Sequence, residues 1–225
     1  MSASLKQHAD IPLSFIYNPG SSVDEVVSLI NYEVEDHQLH LNVATRKLSE
    51  SLTIRDRLIA EGVTRKPAKH KTVTLADSWA LRLTCYVLLP VQHALCCQQT
   101  QGDAGMPWNM GISALMEPSD ISGESLRFRL EALVESKLPS LAEYGTMKLV
   151  GLGHRSLEGA WEIIGLLDLR EVHPELVTAG MQKLTPSNGI AAWGFAPLVP
   201  ASTASPGNLP HNFDTLLEIV EKLGG

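Results

Sequence analysis

Histidine and cysteine side chains in the middle of the sequence could bind a metal or supply a reactive thiol. His93, Cys96 and Cys97 would share one face of a helix, where residues three and four positions apart are neighbours. Structural zinc sites use four ligands in paired spacing, and no second cysteine pair is present. Free cysteine is also often buried as a small apolar residue. We therefore predict no metal site, and a thiol site at Cys96 and Cys97 stays as an alternative.

A second group of titratable residues surrounds His37 and His40, with Glu33, Glu35 and Asp36 nearby in sequence. Their spacing lacks the HExxH pattern of zinc proteases, and a solvated helix end leading into a strand explains them. Serine, histidine and aspartate are all present, but the chain has no GxSxG motif and no phosphate-binding lysine loop. The sequence therefore predicts no catalytic residue and no cofactor.

Glycines in the segment Gly151–Gly159 form a turn that superficially resembles a dinucleotide-binding loop. The third glycine of that fingerprint would fall at Ser156, and no acidic residue completes a β-α-β unit downstream. Gly165 and the β-branched pair Ile163 and Ile164 favour a strand after the turn. We predict a β-hairpin, with a nucleotide-type turn as the alternative.

Positive charge is concentrated in one segment of an acidic chain. The net charge is −7, yet eight of the eighteen Lys and Arg residues lie between positions 46 and 71. A local cationic field attracts phosphate groups or an acidic surface. A solvated helix face followed by a loop is the alternative explanation. The predicted anion-binding residues are Arg46, Lys47, Arg55, Arg57, Arg65, Lys66, Lys69 and Lys71.

Two further apolar groups indicate contact with a partner. A glycine-rich loop at 102–111 carries three large apolar side chains, which such loops rarely do without burying them. A C-terminal amphipathic helix follows a proline-rich segment that could let it dock on a neighbouring subunit. The predicted contact residues are Met106, Trp108, Met110, Leu216, Leu217 and Val220.

The elements that would hold these residues follow from apolar periodicity and from capping and breaking residues. Strands are predicted at 13–17, 39–43, 79–89, 147–152, 160–169 and 190–196, of which 79–89 alternates as a strand with one buried face. Helices are predicted at 22–34, 48–60, 122–138 and 212–223, with a short one from Pro174.

This order of elements predicts an α+β fold with a mainly antiparallel sheet packed against several helices, and a doubly wound fold is the alternative. The predicted domain organisation is a flexible N-terminus (1–11), one α+β domain (12–196), a Pro-rich linker (197–211) and a C-terminal docking helix (212–225).

Composition completes the prediction. A chain of 225 residues with 44% hydrophobic and 19% charged residues is ordinary for a globular protein, and we find no secretory signal or transmembrane segment. Three cysteines suit a reducing, intracellular and cytoplasmic location. The leading interpretation is a non-enzymatic, self-associating assembly or scaffold protein that contacts RNA, an anionic lipid surface or an acidic protein. The alternative is a small intracellular enzyme.

Overall fold

The computed structural model describes residues 13–18, 25–36, 38–50, 53, 80–99, 108–121, 123–155, 160–186, 190–198, 216–217 and 219–221. The chain divides into two units that alternate along the sequence. The first unit comprises Met1–Leu83, Ala114–Arg129 and Leu149–Ile164. The second unit comprises Thr84–Ser113, Leu130–Lys148 and Gly165–Gly225.

A three-stranded sheet of mixed direction belongs to the first unit. Its strands are β1 (Leu13–Asn18), β2 (Glu25–Glu35) and β3 (Gln38–Lys47), in the order β1-β3-β2. The central strand β3 runs parallel to β1 and antiparallel to β2. The strands predicted at 13–17 and 39–43 are confirmed.

The two faces of this sheet differ in polarity because side chains alternate along each strand. On the inner face, Leu39, Leu41 and Val43 of β3 are buried, and the ring centroid of Tyr32 lies 5.4 Å from that of Trp161. The strand residues that alternate with these lie on the opposite face, which we call the outer face. It comprises Ser14 and Ile16 of β1, Val26, Ser28, Asn31, Glu33 and Glu35 of β2, and Gln38, His40, Asn42, Ala44 and Arg46 of β3.

A bulge in β2 decides which of its side chains lie on the outer face. Leu29 and Asn31 pair with consecutive residues of β3, which leaves Ile30 as an extra residue. An extra residue reverses the alternation of the side chains that follow it. Asn31 and Glu33 therefore lie on the outer face, whereas in a regular strand with Ile30 paired in the ladder they would lie on the inner one.

The helix predicted at 22–34 is wrong, because residues 25–34 belong to strand β2. Val26 and Val27 are both buried although they lie on opposite faces of the sheet. The bulge then shifts the alternation by one position. Apolar residues at 26, 27, 29 and 30 consequently imitate the spacing of a helix.

A seven-stranded sheet contains the remaining strands. They are β4 (Arg82–Leu89), β5 (His93–Gln99), β6 (Asn109–Met110), β7 (Ile112–Leu115), β8 (Thr146–Arg155), β9 (Ala160–Asp168) and β10 (Ile190–Pro197). The order is β10-β5-β4-β9-β8, with β6 paired to β5 and β7 paired to β4. Strands β8, β9 and β10 confirm the predictions at 147–152, 160–169 and 190–196. The adjacency of β8 and β9 agrees with the predicted hairpin, although residues 156–159 of its turn lie outside the described residues.

Strand β4 is buried on both faces, which corrects the prediction of one buried face. Thr84, Tyr86 and Leu88, expected on the exposed face, have no accessible surface. The strand lies inside the sheet and pairs on both sides, and strands in such positions can be covered on both faces. It ends at Leu89, immediately before Pro90, as predicted.

The described helices largely follow the sequence prediction. They are a 3₁₀ helix (Pro118–Asp120), α1 (Gly123–Lys137), α2 (Pro139–Ala142) and α3 (Pro174–Gln182). Helices α1 and α3 confirm the predictions at 122–138 and from Pro174. Of the helices predicted at 48–60 and 212–223, the described residues 48–50, 53, 216–217 and 219–221 are helical.

A hydrogen-bonded cap joins the 3₁₀ helix to α1 in the first unit. The carboxylate of Asp120 accepts a hydrogen bond of 2.8 Å from the backbone N–H of Glu117, and Arg129 donates one of 3.1 Å to the Glu117 side chain. Burial raises the pKa of Asp120, while the Glu117 backbone and Arg129 lower it. These contacts provide hydrogen-bond partners at the start of the helical segment, where backbone N–H groups have no partner within the helix.

Mixed sheets with helices confirm an α+β fold. The antiparallel prediction holds in part, since β3 has one parallel and one antiparallel partner. None of the helices among the described residues is both long and apolar enough to cross a membrane. The predicted domain boundaries and the cytoplasmic location stay predictions.

Candidate active site

A serine and a histidine on adjacent strands of the first unit are hydrogen bonded to each other. Ser14 of β1 lies directly across from His40 of β3, and its Oγ is 2.6 Å from the Nδ1 of His40. Which atom donates depends on the tautomer of the imidazole. With the ring hydrogen on Nε2, the serine hydroxyl donates to Nδ1. This is the arrangement in which histidine can remove the proton of a nucleophilic serine.

A carboxylate occupies the matching position on the other side of His40. The register pairs Glu33 of β2 with His40, while Ser14 pairs with His40 from β1. Directly opposed residues of neighbouring strands project from the same face of a sheet. Ser14, His40 and Glu33 therefore form one row across the three strands, with the histidine in the middle.

This row lies at the accessible end of the outer face. Val26 and Ser28, towards the other end, are buried. By contrast, Ser14 and His40 are half-buried and Glu33 is exposed. This end of the outer face is therefore more accessible than the end that carries Val26 and Ser28.

Amide side chains form the next row along the same face. Asn42 follows His40 by two residues on β3 and pairs with Asn31 of β2. On the β1 side, Asn42 pairs with Ile16, whose side chain is 62% exposed. The row thus presents two amides and one accessible apolar side chain beside Ser14 and His40.

The charge around the serine is negative. Glu35 pairs with Gln38 in the row on the opposite side of His40, so that one carboxylate of β2 lies in the histidine row and a second lies in the row beside it. Among the described outer-face residues, the permanent positive charge is Arg46. It lies six residues from His40 along β3, about 20 Å at the rise of a strand. Burial lowers the pKa of Arg46, and the nearby Glu50 raises it.

The part of the chain that the structure describes contains no group of three or more His, Cys, Asp or Glu side chains arranged to hold a metal ion. The side chains of the row can themselves supply nucleophilic and acid–base chemistry.

Most of the predicted anion-binding residues lie outside the described part of the chain. These are Arg55, Arg57, Arg65, Lys66, Lys69 and Lys71. Arg46 is half-buried, and Lys47 is exposed at the end of β3. The anion-binding assignment stays a prediction.

The predicted contact residues are divided between interior and surface. Met110 and Leu216 have no accessible surface, so a partner could not touch them without local rearrangement. Leu217 and Val220 are half-buried. Trp108 is half-buried against β10, where a Cβ on Gly194 would come within 3.0 Å of its ring. Met106 lies outside the described residues.

The cysteines are placed in the interior of a sheet. The segment from His93 is strand β5 and not a helix, so Cys96 and Cys97 project from opposite faces. The thiol of Cys97 donates a hydrogen bond of 3.3 Å to the carbonyl oxygen of Gly111. Burial, and to a smaller extent Cys97, raises the pKa of Cys96 to about 11, and burial raises that of Cys85 to about 12. Because the thiolate is the nucleophile, the raised pKa of Cys96 argues against a nucleophilic role for that residue.

The sequence prediction named His40 and Glu33 without giving them a role, and it missed Ser14 and Asn42. The alternation in 39–43 does place His40 on the polar face of its strand, and Ser14 shares its face of the first strand with Ile16. What the sequence leaves open is that these strands are neighbours and in register. Because a helix was predicted at 22–34 and the bulge at Ile30 was not recognised, Glu33, the third member of the row, could not be placed opposite His40.

Comparison with known proteins gives matches in structure alone. No protein-family model matches the sequence, and no curated protein does. A bifunctional NMN adenylyltransferase/ADP ribose pyrophosphatase from Francisella tularensis matches with a TM-score of 0.43 and 13% identity, over 79% of this chain and 47% of that one. This chain therefore spans about half the length of that protein.

Two shorter structures match in the same way. A NUDIX hydrolase from Nitrosomonas europaea has a TM-score of 0.37 and 8% identity, over 64% of this chain and 86% of its own. The NUDIX domain of Shewanella oneidensis NrtR complexed with ADP ribose has a TM-score of 0.35 and 15% identity, over 72% and 96%. At these TM-scores and identities, the likeness gives this chain neither an activity nor a substrate.

The matches nevertheless overturn the leading interpretation from the sequence. A non-enzymatic, self-associating assembly protein that binds a polyanion is contradicted, because the structures that this chain is similar to include enzymes. The interpretation depended on the segregated positive charge and on the lack of a recognised catalytic motif. The enzyme alternative agrees better with these findings.

Proposed function

We propose that this chain is a serine-dependent hydrolase, with Ser14 as nucleophile, His40 as general base and Glu33 as the residue that orients the imidazole. The observation that supports it most is the 2.6 Å distance between Ser14 Oγ and His40 Nδ1. A base within hydrogen-bond reach of a hydroxyl is the primary geometric requirement for activating serine.

The proposed reaction passes through a covalent intermediate. Ser14 Oγ attacks the electrophilic carbon of an ester while His40 Nδ1 takes the hydroxyl proton, and the carbonyl electron pair moves onto oxygen. When that pair returns, the bond to the leaving alkoxide breaks, and the alkoxide takes the proton from His40. Water then attacks the acyl-serine by the same proton transfers, which release the acid and restore Ser14.

Glu33 completes the row by its position. When His40 accepts a proton it becomes a cation, and a carboxylate on the far side from the serine stabilises that charge and fixes the ring. The proposed order is therefore serine, histidine and glutamate on strands β1, β3 and β2.

Hydrolysis of p-nitrophenyl acetate tests the proposal. The wild type is expected to release p-nitrophenol above the buffer rate, Ser14→Ala to fall to the buffer rate, and His40→Ala to lose about 100-fold or more. Ser119→Ala changes an exposed serine of the 3₁₀ helix and should match the wild type. Circular dichroism verifies that all four proteins are folded. Equal rates for Ser14→Ala and wild type would refute the proposal.

A further inference from the structure

The side chains around Ser14 select among the substrates that a serine hydrolase could use. Serine enzymes attack either acyl or phosphoryl centres. A phosphoryl group carries several charged oxygens, which enzymes stabilise with cations, whereas an acyl transition state develops a single oxyanion that neutral amide donors can stabilise. The two classes of substrate therefore call for different neighbours of the nucleophile.

The outer face provides amides and carboxylates near the nucleophile. Glu33 lies in the histidine row and Glu35 lies in the row beside it, whereas the guanidinium-bearing residue Arg46 lies about 20 Å from His40 along β3. Like charges repel each other, and dissolved salt reduces this repulsion only weakly when the charges are close together. A phosphate placed at Ser14 would face these carboxylates without a nearby described cation of the outer face.

Asn42 is the amide best placed to meet an oxyanion. It lies one row from Ser14 on the adjacent strand, and such diagonal neighbours are about 7–8 Å apart at the backbone, within reach of side chains and a substrate between them. Its cross-strand partner is the neutral amide of Asn31. Gln38 is equally far from His40 in the other direction, but its partner is the carboxylate of Glu35.

We infer that the substrate is an uncharged or cationic carboxylic ester or amide, and that the Asn42 side chain donates a hydrogen bond to the oxyanion formed at its carbonyl. The inference rests on the proposed function, since it requires Ser14 to be the nucleophile. Ile16, exposed beside Asn42, would then contact an apolar part of the substrate.

Steady-state kinetics with matched variants test both parts. Asn42→Ala is expected to lower kcat for p-nitrophenyl acetate by about 100-fold with little change in KM, because an oxyanion donor acts in the transition state. Gln38→Ala removes an amide from the same strand and the same face, and should stay within about twofold of the wild type. The wild type should show no Ser14-dependent hydrolysis of p-nitrophenyl phosphate or of ADP-ribose.

The outcomes separate this inference from the proposed function. If hydrolysis of the acetate depends on Ser14 but Asn42→Ala behaves as Gln38→Ala does, the oxyanion role is wrong while the serine hydrolase stands. If Ser14-dependent hydrolysis is found for the phosphate ester or for ADP-ribose, the acyl class is wrong. If the acetate is not hydrolysed through Ser14, both fail together.

Discussion

At the scale of single residues, the contact between Ser14 and His40 has both a structural and a chemical consequence. A half-buried hydrogen bond between two strands contributes only about 0.5–1.5 kcal/mol to stability. Ser14→Ala should therefore still fold, and a lost activity can be assigned to the missing hydroxyl. A residue that mattered only for packing would show the opposite result, with stability lost and activity kept.

A second residue-scale contact gives a pH-dependent stability. Asp168 accepts hydrogen bonds of 3.0 Å and 2.7 Å from Arg170. Burial alone would raise the pKa of Asp168, but the hydrogen bonds from Arg170 outweigh burial and hold that pKa below its ordinary value. A lowered carboxyl pKa stabilises the folded state above the unfolded pKa of about 3.9. That stabilisation is lost as the pH falls through the folded pKa.

Asp168→Asn should therefore lower the free energy of unfolding at pH 7 by about 1 kcal/mol, a modest value because the pair is partly exposed. The deficit should shrink as the pH falls below about 4, where the unfolded state takes up the proton first, and it should vanish once the pH is below the lowered pKa of folded Asp168. Urea unfolding at pH 7 and pH 3 measures it, with Glu175→Gln on the exposed side of α3 as control. A deficit of the same size at both pH values would contradict this account.

At the scale of elements, the bulge in β2 sets the composition of the outer face. Ile30 is the extra residue, and it moves Glu33 from the inner to the outer face. Deleting Ile30 removes the bulge and lets Asn31 follow Leu29 in a regular ladder. Asn31 then still pairs with Asn42 and Glu33 still pairs with His40, so that no side chain after the bulge changes face.

We expect deletion of Ile30 to keep hydrolysis of p-nitrophenyl acetate, because the row of Ser14, His40 and Glu33 is retained, and to lower the free energy of unfolding by about 0.5–3 kcal/mol. Ile30→Val keeps the bulge and should cost about 0.5–1.5 kcal/mol with activity retained. Thermal unfolding and the ester assay measure both effects. Loss of Ser14-dependent hydrolysis in a folded deletion variant would contradict the register that pairs Glu33 with His40.

At the scale of the whole molecule, much of the local structure could be predicted from the sequence, but the pairing of the strands could not. Alternation located β3, whereas turn residues, glycines and β-branched residues located β1, β8 and β9, and helical spacing located α1. Where both faces of a strand are buried, as in β4, polar residues at alternate positions gave a false exposed face. Where a bulge interrupts the period, as in β2, the pattern imitated a helix.

The candidate site was hidden for a related reason. Ser14 and His40 are 26 positions apart, and Glu33 and His40 meet only through the bulged register. No motif spacing encodes such a row, because the strands that carry it are brought together by the burial of their inner faces. The segregated positive charge is visible in the sequence. It led to the hypothesis of a polyanion partner, and the polar face of the sheet was not considered as a site.

The most direct test of the central claim is covalent labelling by a fluorophosphonate, which reacts with activated serines by displacement of fluoride. The labelled protein is digested, and the modified residue is identified by tandem mass spectrometry. We predict a single major adduct on Ser14, which is lost in His40→Ala and kept in Ser119→Ala. Absence of labelling, or an adduct on another serine that persists in His40→Ala, would contradict an activated serine at position 14.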